Sequence, residues 1–78
     1  MGIFEQLQEA IAQTLNVSPE SVTTTSTHED VAGWDSLGHV NLMMALEQTF
    51  DVQLEVEDFP KLDSVPGILA YLKQHGIE

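Results

Sequence analysis

The chain has no cysteine, no arginine and only two lysines, Lys61 and Lys73. Without cysteine there is no disulfide to staple a small fold and no thiolate to hold a metal. With so little basic charge there is no surface that could neutralise phosphates, which excludes nucleic acid as a partner. Aromatic residues make up only 6% of the sequence, with a single tryptophan, Trp34. No apolar run approaches the roughly 18 residues that a membrane-spanning helix needs. The start, Met1-Gly2-Ile3-Phe4-Glu5, has neither the basic end nor the apolar core of a secretory signal. Gln6 stands where a myristoylation motif wants Ser or Thr. The expectation is a cytoplasmic protein that does not engage a membrane.

What the chain does have is negative charge: 13 Asp and Glu against the two lysines, a formal −11 in 78 residues. Such a balance either serves solubility alone or steers the protein toward partners with basic docking patches, at rates that fall with salt. The length makes one small domain, residues 1–78, near the low end of what folds unaided. A hydrophobic content of 42% supplies one modest core. That core cannot also wall a deep pocket with several positioned catalytic groups, which weighs against an enzyme.

Periodicity predicts a helix over about Ile3 to Leu15. Phe4, Leu7, Ile11 and Leu15 form its apolar stripe, and Glu5, Gln6, Glu9 and Gln13 its wet side. Asn16 is a plausible stop, and Ser18-Pro19-Glu20-Ser21 reads as a short capped turn with proline at its first helical position. Residues Val22 to Gly33 read as a long loop, pinned to the core by Val22 and Val31. A loop of that length in so small a domain asks for a reason, such as delivering a site to a helix start. A second helix is predicted from about Ser36 to Phe50 with Asp35 as N-cap. Leu42, Met43, Leu46 and Phe50 are its core residues. A second stripe, Leu37, Val40 and Met44, lies on another side and either shares the core or waits for a partner. Val52, Leu54 and Val56 alternate as a strand would, but no other segment could pair with them. An extended connection is therefore expected, leading into a short helical turn near Glu57 to Lys61. Ser64-Val65-Pro66 starts a final helix, with Ile68, Leu69 and Leu72 inward to about His75 and Gly76 as its cap.

The densest chemical signal is the run Gly33-Trp34-Asp35-Ser36-Leu37-Gly38-His39-Val40. It sets a serine hydroxyl in the first turn of a helix, where free backbone N–H groups and a partial positive charge suit a phosphate oxygen. Gly38 is read as clearing a side chain from beside that serine. Taken alone, an Asp-Ser pair at a helix start can equally be no more than a good cap.

The tetrapeptide Asp35-Ser36-Leu37-Gly38, followed by Val40, Leu42, Met44-Ala45-Leu46-Glu47 and Phe50-Asp51, resembles the acyl carrier proteins. The resemblance extends over the whole chain, with the spacing between segments kept. It implies an all-α fold, a small right-handed bundle of about four helices with a long first loop. It implies that a phosphopantetheinyl transferase moves a 4′-phosphopantetheine arm from coenzyme A onto Ser36, with Asp35 assisting the transfer. The arm would hold acyl groups as thioesters and carry them between acyl-transferring or acyl-modifying enzymes. Leu37, Val40, Met44 and Glu47 would form the docking face of a monomer. Carriers of fatty acid synthesis often have acids where this chain has Gly38, Asn41 and Gln48, and a small residue where it has Trp34. A dedicated carrier for a polyketide or other specialised acyl product is favoured over the housekeeping fatty acid role. Trp34 is read as a plug for the loop in preference to a partner contact.

Other chemistries fit less well. His39 lies one turn after Ser36, but there is no G-x-S-x-G elbow and no evident oxyanion hole, so a serine hydrolase is a distant reading. A loop-packing, half-buried role suits His39 better. His28, His39 and His75 lack zinc spacing, and Asp51 to Asp58 lacks the calcium-loop pattern, so no metal site is expected. From a different class, the rival is a small acidic adaptor that binds a basic partner without any covalent group. Self-repulsion among the acids should loosen the fold at low ionic strength. Moderate salt or a divalent cation is expected to raise the melting temperature in a circular dichroism melt, and a flat response would refute that.

Overall fold

The computed structural model describes residues 2–77. Three α-helices and two 3-10 segments follow one another: α1 (Ile3–Leu15), a turn at Pro19–Ser21, α2 (Ser36–Phe50), a 3-10 segment at Val56–Leu62, and α3 (Val65–Gln74). This is the expected all-α bundle, with the 3-10 segment in the place of its fourth helix. The core is drawn mostly from the residues that the periodicity selects, with Phe4 and Leu69 only partly buried against it. Leu7, Ile11 and Leu15 of α1, Leu42, Met43, Leu46 and Phe50 of α2, and Ile68 and Leu72 of α3 are all buried, joined by Leu62 and Val65. α1 packs chiefly on α2, and α3 on the 3-10 segment.

Helix ends follow local chemistry. α1 and α2 both close on a residue in the left-handed conformation, Asn16 (φ 58°) and Asp51 (φ 53°), whose N–H groups return to Ala12 O and Glu47 O. Asn and Asp are the non-glycine residues that tolerate this conformation best. Ser64 caps α3 by accepting from the Gly67 N–H at 3.0 Å. The α3 cap itself is His75, and Gly76 (φ 78°) is the left-handed residue that turns the chain just after it. Tyr71 on α3 donates to Asp58 at 3.4 Å. Burial, then the Asp58 and Glu55 charges, push its phenol above the usual tyrosine range, so it stays a donor.

The long loop, residues 22–35, is tied down at several points. Val22 and Val31 are buried as expected. The Gln8 side chain donates to Pro19 O at 2.8 Å and Val22 O at 2.9 Å, binding the loop start to α1. Further on, the Val65 N–H donates to Ser26 O at 2.8 Å and the His28 N–H to Asp63 O at 2.9 Å. These bonds and an isolated bridge between Thr27 and Ser64 fasten the loop to the start of α3. The expected alternation over 52–56 forms no strand: residues 52–55 have no regular structure, Val56 already opens the 3-10 segment, and the Leu54 N–H finds the Glu47 carboxylate at 3.0 Å.

At its far end the loop passes close over the first turn of α2. A Cβ on Gly38 would collide with the carbonyl oxygen of Gly33 and lie 3.0 Å from Leu15 Cδ2. Gly38 therefore faces the loop and α1, and the expectation that it clears space beside the serine is corrected. The glycine is there because two backbones meet. Gly33 itself has φ 84°, a conformation that side chains rarely adopt. In an open helix Gly→Ala gains about 1 kcal/mol, but here the collision dominates. Gly38→Ala is expected to lose about 1–3 kcal/mol, read as a lower urea midpoint with unchanged slope.

Candidate functional site

Asp35 is extended (φ −101°, ψ −167°) and its Oδ1 accepts from the Gly38 N–H at 2.9 Å, the expected N-cap. Its carbonyl takes the first intrahelical bond, from the His39 N–H at 2.7 Å. Ser36 follows as the first helical residue and is exposed. Among the described residues its hydroxyl has no hydrogen-bond partner, and the Ser36 and Leu37 N–H groups have no acceptor. A helix start with free N–H groups beside an unengaged hydroxyl suits a phosphate ester at that oxygen.

Trp34, one residue before the cap, is buried, so the plug reading holds. Its indole N–H donates to His39 Nδ1 at 2.9 Å, and His39 Nε2 lies 2.7 Å from Phe59 O. An indole N–H can only donate and a carbonyl can only accept. His39 therefore has a bare Nδ1 and carries its proton on Nε2. The two rings stack with centroids 6.3 Å apart and planes 23° apart, and Phe59 meets the imidazole edge-on. Both ring nitrogens are engaged by groups other than Ser36, so His39 packs the loop as expected and has no nitrogen left to act as a base on the serine.

Ser36 sits on the rim of an open groove of about 420 Å³ lined by His28, Trp34, Asp35, His39, Pro60 and Asp63. His28 Nε2 and Asp63 Oδ2 are 3.8 Å apart, and both side chains are well exposed, so the pair adds little to stability. Thr27 and Asp30 arrange the loop before this groove, the Thr27 N–H donating to Asp30 Oδ2 at 3.0 Å.

The structure separates the two stripes of α2. Leu37, Val40 and Met44 are 72%, 44% and 51% exposed, so this stripe stays at the surface and does not share the core. Glu47 is only half-exposed, and one of its oxygens holds the Leu54 N–H, which ties it to the following connection. Val56 is 79% exposed as well. Sequence reasoning had no means of separating it from Leu54, since both belong to one alternating run.

A bundle that presents one unengaged serine hydroxyl at a helix start, over an open groove, has the form of a carrier domain. The family model described as "Phosphopantetheine attachment site" matches residues 5–72. Curated relatives named "Acyl carrier protein" are similar over nearly their whole length. That of Wolinella succinogenes is 36% identical over 73 residues, 94% of this chain and 96% of the relative. That of Bdellovibrio bacteriovorus is 36% identical over 76 residues, 97% of each chain. That of Clostridium acetobutylicum is 36% identical over 73 residues, 94% of this chain and 95% of the relative. The chain belongs to the acyl carrier protein family, whose attachment domain carries a covalent 4′-phosphopantetheine.

The cap can be tested apart from any chemistry. Asp35→Ala is expected to cost about 1 kcal/mol of stability, while Asp35→Asn, which keeps an acceptor for the Gly38 N–H, stays near the native value in the same denaturation assay.

Proposed function

We propose that Ser36 is the attachment residue and that the chain, acting as a single domain over residues 1–78, carries acyl groups between enzymes as a cytoplasmic monomer. The observation that carries this reading is the free, exposed Ser36 hydroxyl at the first residue of α2, within the matched family segment. When bound, the prosthetic arm supplies a terminal thiol that holds the acyl group. The protein's own residues do the rest. The helix start offers N–H groups to the phosphate, the groove leaves the arm room beside Ser36, and tethering raises the local concentration of cargo at each partner. Asp35 stands one residue away, where its carboxylate assists the transfer step while holding the first turn in shape.

Leu37, Val40 and Met44 are the docking strip, beginning directly after Ser36 and running two turns along a helix face that stays at the surface. Methionine suits a strip that must fit more than one enzyme. Glu47 lies at its far end and, with the overall charge, favours phosphopantetheinyl transferases and acyl-handling enzymes that present basic patches. The preference for a dedicated, specialised pathway over housekeeping fatty acid synthesis rests on Asn41 and Gln48, both exposed and uncharged, and on exposed Val56. Trp34 and Gly38 carry less weight here, because each has a packing reason of its own.

Intact mass tests the assignment directly. Incubation with coenzyme A, magnesium and a broad-specificity phosphopantetheinyl transferase is expected to add one phosphopantetheine to the native chain and none to Ser36→Ala. A native chain that is folded yet never modified would reject the carrier reading and leave the non-covalent acidic adaptor.

A further inference from the structure

We propose that His39 is a positioning residue for the Ser36 junction, a clasp that holds in its neutral form and releases when protonated. What it positions rests on the attachment reading above; the clasp itself rests on geometry. Three segments of the chain meet at one imidazole. Trp34 ends the long loop, His39 stands in the first turns of α2, and Phe59 belongs to the 3-10 segment. No other side-chain bond ties the loop end to that segment among the described residues.

The direction of each bond is forced. Nδ1 must accept, because the indole can only donate, and Nε2 must donate, because the carbonyl can only accept. A single neutral tautomer meets both demands. Protonation places a hydrogen on Nδ1, so that two donors face each other where a 2.9 Å hydrogen bond stood. The bond from Nε2 to Phe59 O survives that change. The buried Trp34 indole loses its partner, which is the costly outcome for a polar group away from water. The residue that would then shift adjoins both Gly33, on whose carbonyl the first turn of α2 rests, and Asp35, which caps it.

Charged and titratable groups surround the clasp: Asp35, Asp63 and His28 line the same groove as His39, and His28 Nε2 lies 3.8 Å from Asp63 Oδ2. On the 3-10 segment Asp58 and Lys61 pair with each other at 3.9 Å and do not line the groove. Further along α2, Glu47 is held by the Leu54 N–H. The indole N–H is the group in the cluster that demands a neutral ring. Histidine as a residue type changes charge between about pH 5 and 8, which sets the range over which the clasp is tested.

The chain has one tryptophan, so its indole N–H gives a single resonance, and the variants below separate its bond to His39 from the influence of other neighbours. With the full-length apo chain labelled with nitrogen-15 and taken from about pH 8 to about pH 5, the native indole signal is expected to shift in one step and to exchange faster with solvent at the acid end. His39→Gln, whose amide offers both an acceptor and a donor but does not titrate, is expected to keep a protected signal throughout. His28→Asn is expected to titrate like the native chain. A native signal that stays flat, or a titration that persists in His39→Gln, would overturn the clasp; since His39→Gln retains both kinds of bond, the comparison does not depend on a variant that fails to fold. For the positioning role, kcat/KM for arm transfer is measured on native and His39→Gln chains at each pH, which cancels the transferase's own profile. The native-to-variant ratio is expected to fall several-fold toward acid, and a constant ratio would refute positioning. Failure of the native chain to accept the arm at any pH would instead defeat the attachment reading, and the indole titration would still decide the clasp.

Discussion

The presentation of Ser36 depends on one close approach, that of the Gly33 carbonyl to Gly38 on the first turn of α2. A long loop must end against a helix start, and the Gly33 carbonyl can come this near only because Gly38 carries no side chain. Gly33 supplies the left-handed turn and Gly38 the bare helix surface. With that contact made, Asp35 falls where it can cap the helix, Ser36 points to solvent and Trp34 turns inward. If either glycine gains a side chain, the loop lifts and the cap, the serine and the plug are all displaced together.

The remaining fastenings explain how so short a chain keeps a long loop ordered. Several anchors pair backbone groups of the loop itself, the Val22 and Ser26 carbonyls and the His28 N–H, while Trp34 is held through its side chain. Gln8 holds the loop start, Ser26 and His28 hold its middle to residues 63–65, and Trp34 through His39 holds its end to Phe59. No buried side-chain nitrogen or oxygen among the described residues is left without a partner. Trp34 does two things at once, filling the core beneath the junction and placing its one donor on the imidazole.

α2 serves two masters. One side, Leu42, Met43, Leu46 and Phe50, is core; the other, Leu37, Val40 and Met44, remains at the surface. An exposed apolar strip beside Ser36, on a protein with an excess of negative charge, is a surface on which charge would set the approach of a partner and apolar contact the fit. Val56 extends the set of exposed apolar residues beyond α2.

Much of this was legible in the sequence, because the interactions concerned are local. The 3.6-residue period located α1 and α2 at their observed bounds, and Asn16 and Asp35 marked their ends, since helix capping and amphipathic stripes act within a few residues. Tertiary structure alone decided what required segments distant in sequence to meet. The second stripe of α2 could have been core or surface, and only the packing of α1 and α3 shows that it is surface. Gly38 read as room beside the serine, whereas it accommodates Gly33. Glu47 read as a docking acid, and what the fold adds is that its carboxylate accepts from the Leu54 N–H of the following connection. His39 could be placed as a packing residue, but its two partners, Trp34 and the carbonyl of Phe59, and with them its tautomer, follow only from where the loop and the 3-10 segment lie. Local rules specify which residues can end or begin an element; which surfaces then face one another is settled by close packing across the whole chain.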